Sequence, residues 1–253
     1  MSLAASAERK CPIIALASTK GGVGKTTLAY VLATEMARRL APLGRVTCID
    51  ADPNRTLAQV LRLTNDPLIV NVESDSDRLL DDLRTAQAGS SVIVIDLEGT
   101  ANQAMLYAAG KSDLVLVPAQ PSRFDVVEAV KTIGVVRKAA DLVGREIAHR
   151  VVLSRTPVLR QRVADHSRTQ FVRAGLPLLP VELVQRAAFQ SMTYTGQPPW
   201  RQDGGEQAAA NVASLTDAVL AIIGLELPAV GATGEAAAGR RATVSPREMR
   251  TVA

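Results

Sequence analysis

Residues 18–27 read Ser-Thr-Lys-Gly-Gly-Val-Gly-Lys-Thr-Thr, which are the side chains and backbone needed to grip a phosphate. The stretch Lys20, Gly21, Gly22, Val23, Gly24, Lys25, Thr26 and Thr27 is the candidate nucleotide-binding loop. Its three glycines let the main chain curl until successive N–H groups converge on one anion. Lys25 is spaced to reach the β- and γ-phosphates, and the Thr26 hydroxyl to ligate Mg²⁺. A chance glycine-rich turn would not be expected to combine all these residue types. Two features are unusual: Thr19 stands where a glycine is common, and a second lysine, Lys20, opens the loop.

Three acids complete the candidate chemistry. Asp50 and Asp52 follow the apolar run 45–49, and Asp96 follows Val92–Ile95. A single aspartate at such a place is commonly a helix cap or a turn residue. Three of them at strand ends in a chain with a phosphate loop point to metal and water chemistry. Asp96 is the expected metal carboxylate, acting through water. Asp50 is expected to support the metal shell together with Thr26. Asp52 is expected to orient an attacking water, with Lys20 and Lys25 neutralising charge.

These residues need elements to hold them. An apolar run precedes the glycine loop and an apolar-periodic stretch from Leu28 to Leu40 follows it, giving strand, loop, helix. Further strands are expected at 45–49, 68–72, 92–95, 114–117 and 150–153, with a weaker one near 178–181. Helices are expected at 26–40, 57–62, 78–86, 101–109, 126–143, 163–173, 186–193 and 206–223. Alternation of this kind predicts an α/β fold, a doubly wound, mostly parallel sheet with helices on both faces. Hydrophobic residues make up 47% of the 253 but aromatics only 3%, so the core must be built from Ala, Val, Leu and Ile. That composition suits strands covered on both sides.

Residues 1–10 read as a flexible lead-in, 11–225 as one phosphate-loop domain and 226–253 as a disordered tail. Cys11 and Cys48 fall in or beside strands and read as small buried residues rather than a bridge or a metal pair. No apolar run reaches the ~18 residues of a membrane helix and no signal peptide is evident, so a cytoplasmic protein is expected.

Together these motifs resemble the ParA/MinD superfamily of deviant Walker ATPases. KGGVGKTT at 20–27 matches its signature, IDADP at 49–53 its second acidic motif and VIVID at 92–96 its Walker B strand. VPAQPSRFDVVEA at 117–129 resembles the following loop and helix start. The resemblance spans roughly residues 11–223. Within the superfamily, LVQRAAFQSMTYTGQPPW at 183–200 and the short stretch before Lys20 are similar to the ParF-like plasmid-partition ATPases. The latter leaves no room for the N-terminal helix-turn-helix domain of longer relatives. The chain is similar as well to partition-like ATPases of conjugative or T-DNA transfer.

The resemblance implies a Mg²⁺-dependent ATPase, cycling between ATP and ADP with weak basal turnover. Two ATP would be sandwiched in a homodimer, with Lys20 crossing to the partner's phosphates. It implies adenine contacts near Arg155 and in the loop around Pro180–Val184, and non-specific binding to double-stranded DNA with nucleoid association. It also implies a centromere-binding or other partner that stimulates hydrolysis, so that plasmid, chromosome or other cargo is partitioned or positioned. The alternative is a nucleotide-gated scaffold that recruits transfer machinery, with hydrolysis secondary. One departure stands out: Leu97-Glu98-Gly99-Thr100 follows the Walker B aspartate, adding a negative charge near the phosphates.

Net charge is +4, which alone says little about partners. Residues 145–201, however, hold nine arginines against three acids. Arginine suits phosphate contacts, and the lack of aromatics argues against base stacking. Arg160, Arg162, Arg168 and Arg173 are the expected DNA contacts; the plainer reading is a solvated arginine-rich surface. The segment after Gly224 lacks the apolar stripe of a membrane-surface helix. The two cysteines precede the places where cluster-bridging thiols would lie. No tyrosine follows Tyr194, which argues against a tyrosine-kinase tail.

Overall fold

The computed structural model describes residues 11–42, 44–159 and 162–227, with the side chains of 162–164 excepted. The expected lead-in at 1–10, nearly all of the expected tail and Arg160 lie outside these residues. Seven strands form a single sheet: β1 (Ile13–Leu16), β2 (Val46–Ala51), β3 (Ile69–Glu73), β4 (Val92–Leu97), β5 (Leu114–Ala119), β6 (Ala148–Thr156) and β7 (Leu183–Val184). Their spatial order is β3-β2-β4-β1-β5-β6-β7 and every pairing is parallel. This is the doubly wound parallel sheet with helices on both faces expected from the alternation.

Strand residues alternate between two cores, as the two-residue period of a strand requires. Ile14, Leu16, Val46, Cys48, Val92 and Val94 face a layer built by α1 (Lys25–Leu40), α2 (Thr56–Thr64), α7 (Ala187–Thr195) and α8 (Glu206–Ile223). Ile13, Ala15, Ile49, Ile93 and Ile95 face α3 (Leu79–Gln87), α4 (Gln103–Lys111), α5 (Arg123–Val143) and α6 (Arg162–Arg173). Because both faces are covered, the strands read as continuous apolar runs rather than alternating ones. Cys48 is buried here, and burial pushes its thiol well above the ordinary range.

Three details depart from the sequence expectation. Strands β2 and β4 run further than their apolar runs, so Asp50 and Asp96 lie within the sheet, paired in register with each other. The weak strand near 178–181 is not formed: Leu178 makes one isolated bridge to Val151, and the seventh strand comes at Leu183–Val184. A short 3₁₀ turn at Pro199–Arg201, without a helical period to announce it, links α7 to α8.

β1 sits at the centre, between β4 and β5. Chain connections diverge there, which opens a crevice at the carboxyl ends of the strands. The glycine loop leaves β1 into that crevice.

Candidate functional site

The loop between β1 and α1 is shaped for an anion. Gly22 and Gly24 have φ of 74° and 96°, where a side chain would strain the backbone. Gly24 is the N-cap of α1 and offers no side chain to its first N–H groups, leaving those donors for a ligand. Val23 is buried, and its carbonyl accepts from Ser154 Oγ at 2.6 Å, pinning the loop to β6. Gln120 Nε2 donates to the Gly22 carbonyl at 3.2 Å from the end of β5.

Two adjoining hollows open over this loop. The first, of about 380 Å³, is lined by Gly21, Gly22, Gly24, Lys25, Thr26 and Thr27, with Asp52, Asn54, Glu98, Gly99, Thr100 and Arg155 around them. The second, of about 660 Å³, shares Gly24, Thr27 and Arg155 and extends over Leu183–Arg186 and the α7 residues Phe189, Gln190, Thr193 and Tyr194. The first has the size and donors for phosphates. The second mixes apolar walls with polar edges, as a nucleoside pocket does.

Lys25 is buried, and desolvation draws its ammonium below the ordinary lysine range, while Asp96, Asp52 and Glu98 oppose that shift. Asp96 is also buried. Burial lifts its carboxyl to about 7; the hydrogen bond from Thr26 opposes this, and the nearby Asp50 adds to it. Thr26 Oγ1 donates to Asp96 Oδ2 at 2.7 Å, whereas Asp96 Oδ1 is buried with no hydrogen-bond partner. An orphaned carboxylate oxygen beside a threonine hydroxyl fits Mg²⁺, which keeps several waters and takes its remaining ligands from nucleotide phosphates. No group of three or more His, Cys, Asp or Glu forms a protein-only metal cage among the described residues.

Asp50, expected to support the metal shell, is held from the main chain. Its Oδ1 accepts from Asp52 N at 3.1 Å and its Oδ2 from Ala58 N at 2.9 Å. Both oxygens are thus held by main-chain donors. Asp50 anchors the turn that carries Asp52 and lies in register beside Asp96. Asp52 lines the phosphate hollow, and its Oδ1 accepts from both the main-chain N and Nδ2 of Asn54, each at 2.9 Å.

Lys20 leaves the loop for α5, where Nζ donates to Asp125 Oδ2 at 2.8 Å. Asp125 is buried and is also held by Ser122 Oγ and by Gln120 N. Thr19 reaches the same helix: its hydroxyl donates to Glu128 Oε2 at 2.8 Å and its N–H to Thr132 Oγ1 at 3.1 Å. The two unusual loop residues therefore both tie the loop to α5.

Arg155 lines both hollows and holds φ of 52°, a left-handed conformation uncommon for a residue with a side chain. Pro180 is exposed and lines neither; of the expected Pro180–Val184 loop, Leu183 and Val184 line the second hollow, continued by Gln185 and Arg186. Among the expected DNA contacts, Arg168 is committed to Asp165 at 2.8 Å and to Glu182 through two nitrogens. Its pairing with two acids removes it as a free phosphate contact. Arg173 is exposed; of Arg162 the structure gives the position at the start of α6. Exposed Arg145 donates to the Gly110 and Ser112 carbonyls.

Sequence reasoning missed Asn54, Ser154, Gln120, Asp125 and the α7 wall. Asn54 lies two residues past Asp52 and Ser122-x-x-Asp125 reads as a helix start, so those two carried a local signal. The others are brought in only by tertiary packing.

The VirC1 protein family model matches residues 11–198 of the chain. "Protein ParA" of Rhizobium radiobacter is 29% identical over 188 residues, which is 73% of this chain and 83% of that protein. "Maintenance of carboxysome distribution protein A" of Halothiobacillus neapolitanus is 25% identical over 209 residues, 81% of this chain and 94% of its own. The solved complex of a Cyanothece McdA variant with ATP aligns with a TM-score of 0.70 at 16% identity, covering 87% of this chain and 99% of that one.

Proposed function

The chain belongs to the VirC1 protein family, and from that premise we propose that it is an ATPase that partitions or positions a cargo through a nucleotide-dependent homodimer. The observation that carries this reading is one cleft lined by Lys25, Thr26 and Asp52 around a glycine loop at a helix N-terminus, with Asp96 bonded behind Thr26. Support comes from the relatives, one named ParA and one named for carboxysome distribution, and from the ATP in the McdA complex of like fold.

The triphosphate would lie on the loop N–H groups, with Lys25 on the β- and γ-oxygens and the base in the hollow along α7. Mg²⁺, when bound, would supply charge neutralisation between those oxygens; Thr26 and Asp96 are the residues to hold it. Asp52, held by Asn54, would orient the water for in-line attack. Lys20 would leave Asp125 and reach the partner's phosphates, so dimerisation and the loop–α5 tie compete for one ammonium. Turnover by one chain alone would then be slow, far below the usual ~1–10³ per second.

The test is the mass of Asp52→Ala in ATP and Mg²⁺, measured by light scattering. Blocked hydrolysis should hold the dimer and give twice the monomer mass. A monomer at saturating ATP would overturn the sandwich. If this variant still positions cargo in cells, the scaffold reading replaces the hydrolysing one.

A further inference from the structure

Glu98 is the residue of the phosphate hollow that the roles above leave unused. It stands one residue past the end of β4 and two past Asp96. It lines the hollow opposite the glycine loop, half-buried. Asn102 Nδ2 donates to its Oε2 at 3.1 Å, and Asn102 Oδ1 in turn accepts from Met105 N at 3.0 Å to cap α4. The carboxylate is therefore fixed by a helix start rather than swinging free. A Cβ on Gly99 would come within 3.1 Å of Gly21 N, so the Glu98–Thr100 turn rests directly on the phosphate loop. Glu98 is also close enough for its charge to act on Lys25.

The charges lining the hollow are two positive, Lys25 and Arg155, and two negative, Asp52 and Glu98. Buried Asp96 lies behind Thr26, and the Lys20 ammonium is drawn off to Asp125. A glycine loop that binds nucleoside triphosphate normally presents an excess of positive charge to it. Here Glu98 cancels that excess. A triphosphate arriving without metal meets a carboxylate with nothing to offset the repulsion. A triphosphate carrying Mg²⁺ brings its own compensation, and its metal-bound waters are donors for a fixed carboxylate.

We propose that Glu98 is a specificity-determining residue that makes the phosphate site select metal-bound over metal-free nucleoside triphosphate. The inference rests on the ATP-binding reading above. It assigns the selection to a residue outside the glycine loop and outside the Thr26–Asp96 pair.

The experiment measures the affinity of a fluorescent ATP analogue in excess Mg²⁺ and in EDTA, for wild type, Glu98→Gln and Glu98→Asp. Glutamine keeps an oxygen for Asn102, so the turn is retained, and thermal melts check that each variant folds. Glu146→Gln, an exposed acid away from the site, controls for net charge. Removing one charge at contact range should tighten metal-free binding about ten-fold and leave Mg-bound affinity equal or weaker. The ratio between the two conditions should therefore collapse in Glu98→Gln and persist in Glu98→Asp and Glu146→Gln. An unchanged ratio in folded Glu98→Gln overturns the inference while wild-type binding of Mg·ATP leaves the function standing. Failure of wild type to bind Mg·ATP at all would remove the function itself.

Discussion

At the scale of single residues, the site turns on Asp96. Its folded carboxyl titrates near 7, above the ~3.9 of an unperturbed aspartate. The native state therefore holds a proton that the unfolded chain releases between about pH 4 and 7. Stability should fall as pH rises through that window and level off above it. Asp96→Asn should flatten this dependence and stabilise the nucleotide-free protein at neutral pH, by up to about 4 kcal/mol. Thermal melts from pH 5 to 8 check it; parallel profiles for wild type and variant would refute it. Residue identities in the glycine loop are legible in sequence because all its working parts are contiguous. Asp50 is not: its spacing is that of a metal acid, and its two main-chain partners, Asp52 N and Ala58 N, appear only once the turn is folded.

At the scale of elements, α5 is the partner of the phosphate loop. The loop's Thr19 and Lys20 contact Glu128, Thr132 and Asp125, residues more than a hundred positions away. Sequence periodicity finds α5 as a helix but gives no sign that its first turns hold the loop. Lys20→Gln should leave ATP binding measurable and abolish ATP-dependent dimerisation. Asp125→Asn frees the ammonium and should shift dimerisation to lower protein concentration, at a stability cost of about 1 kcal/mol from the disturbed Ser122–Asp125 helix start. Light scattering against ATP concentration reads both. Wild-type behaviour in Lys20→Gln would reduce that lysine to a surface charge. The helices around the site are readable to within a few residues because their apolar stripes are strong. β7 is missed because a two-residue strand has no period to read.

At the scale of the whole molecule, the expected basic surface is thinner than its arginine count. Arg168 is paired with two acids, which leaves exposed Arg173 as the clearest described candidate for a DNA phosphate among the four expected contacts. If the ATP-bound dimer grips DNA by its backbone, the logarithm of affinity should fall linearly with the logarithm of salt. Arg173→Ala, present twice per dimer, should shallow that slope by about two. Fluorescence anisotropy at several salt concentrations measures it, and a flat dependence in wild type would remove the DNA face. Composition predicts the sheet and its cover correctly because Val, Ile and Leu runs have few other uses. It cannot say which arginines are already paired.

The two margins of the sheet are unequal. β3 offers a five-residue outer rim, whereas β7 on the opposite side offers two residues. Among the described residues, the β3 rim is therefore the longer margin strip open to main-chain pairing between copies. Two molecules joined rim to rim would consume both strips and terminate the assembly, as a two-fold contact does. A filament built from the described fold would consequently grow through side-chain surfaces, and its fibre pattern should lack the 4.7–4.8 Å cross-β spacing.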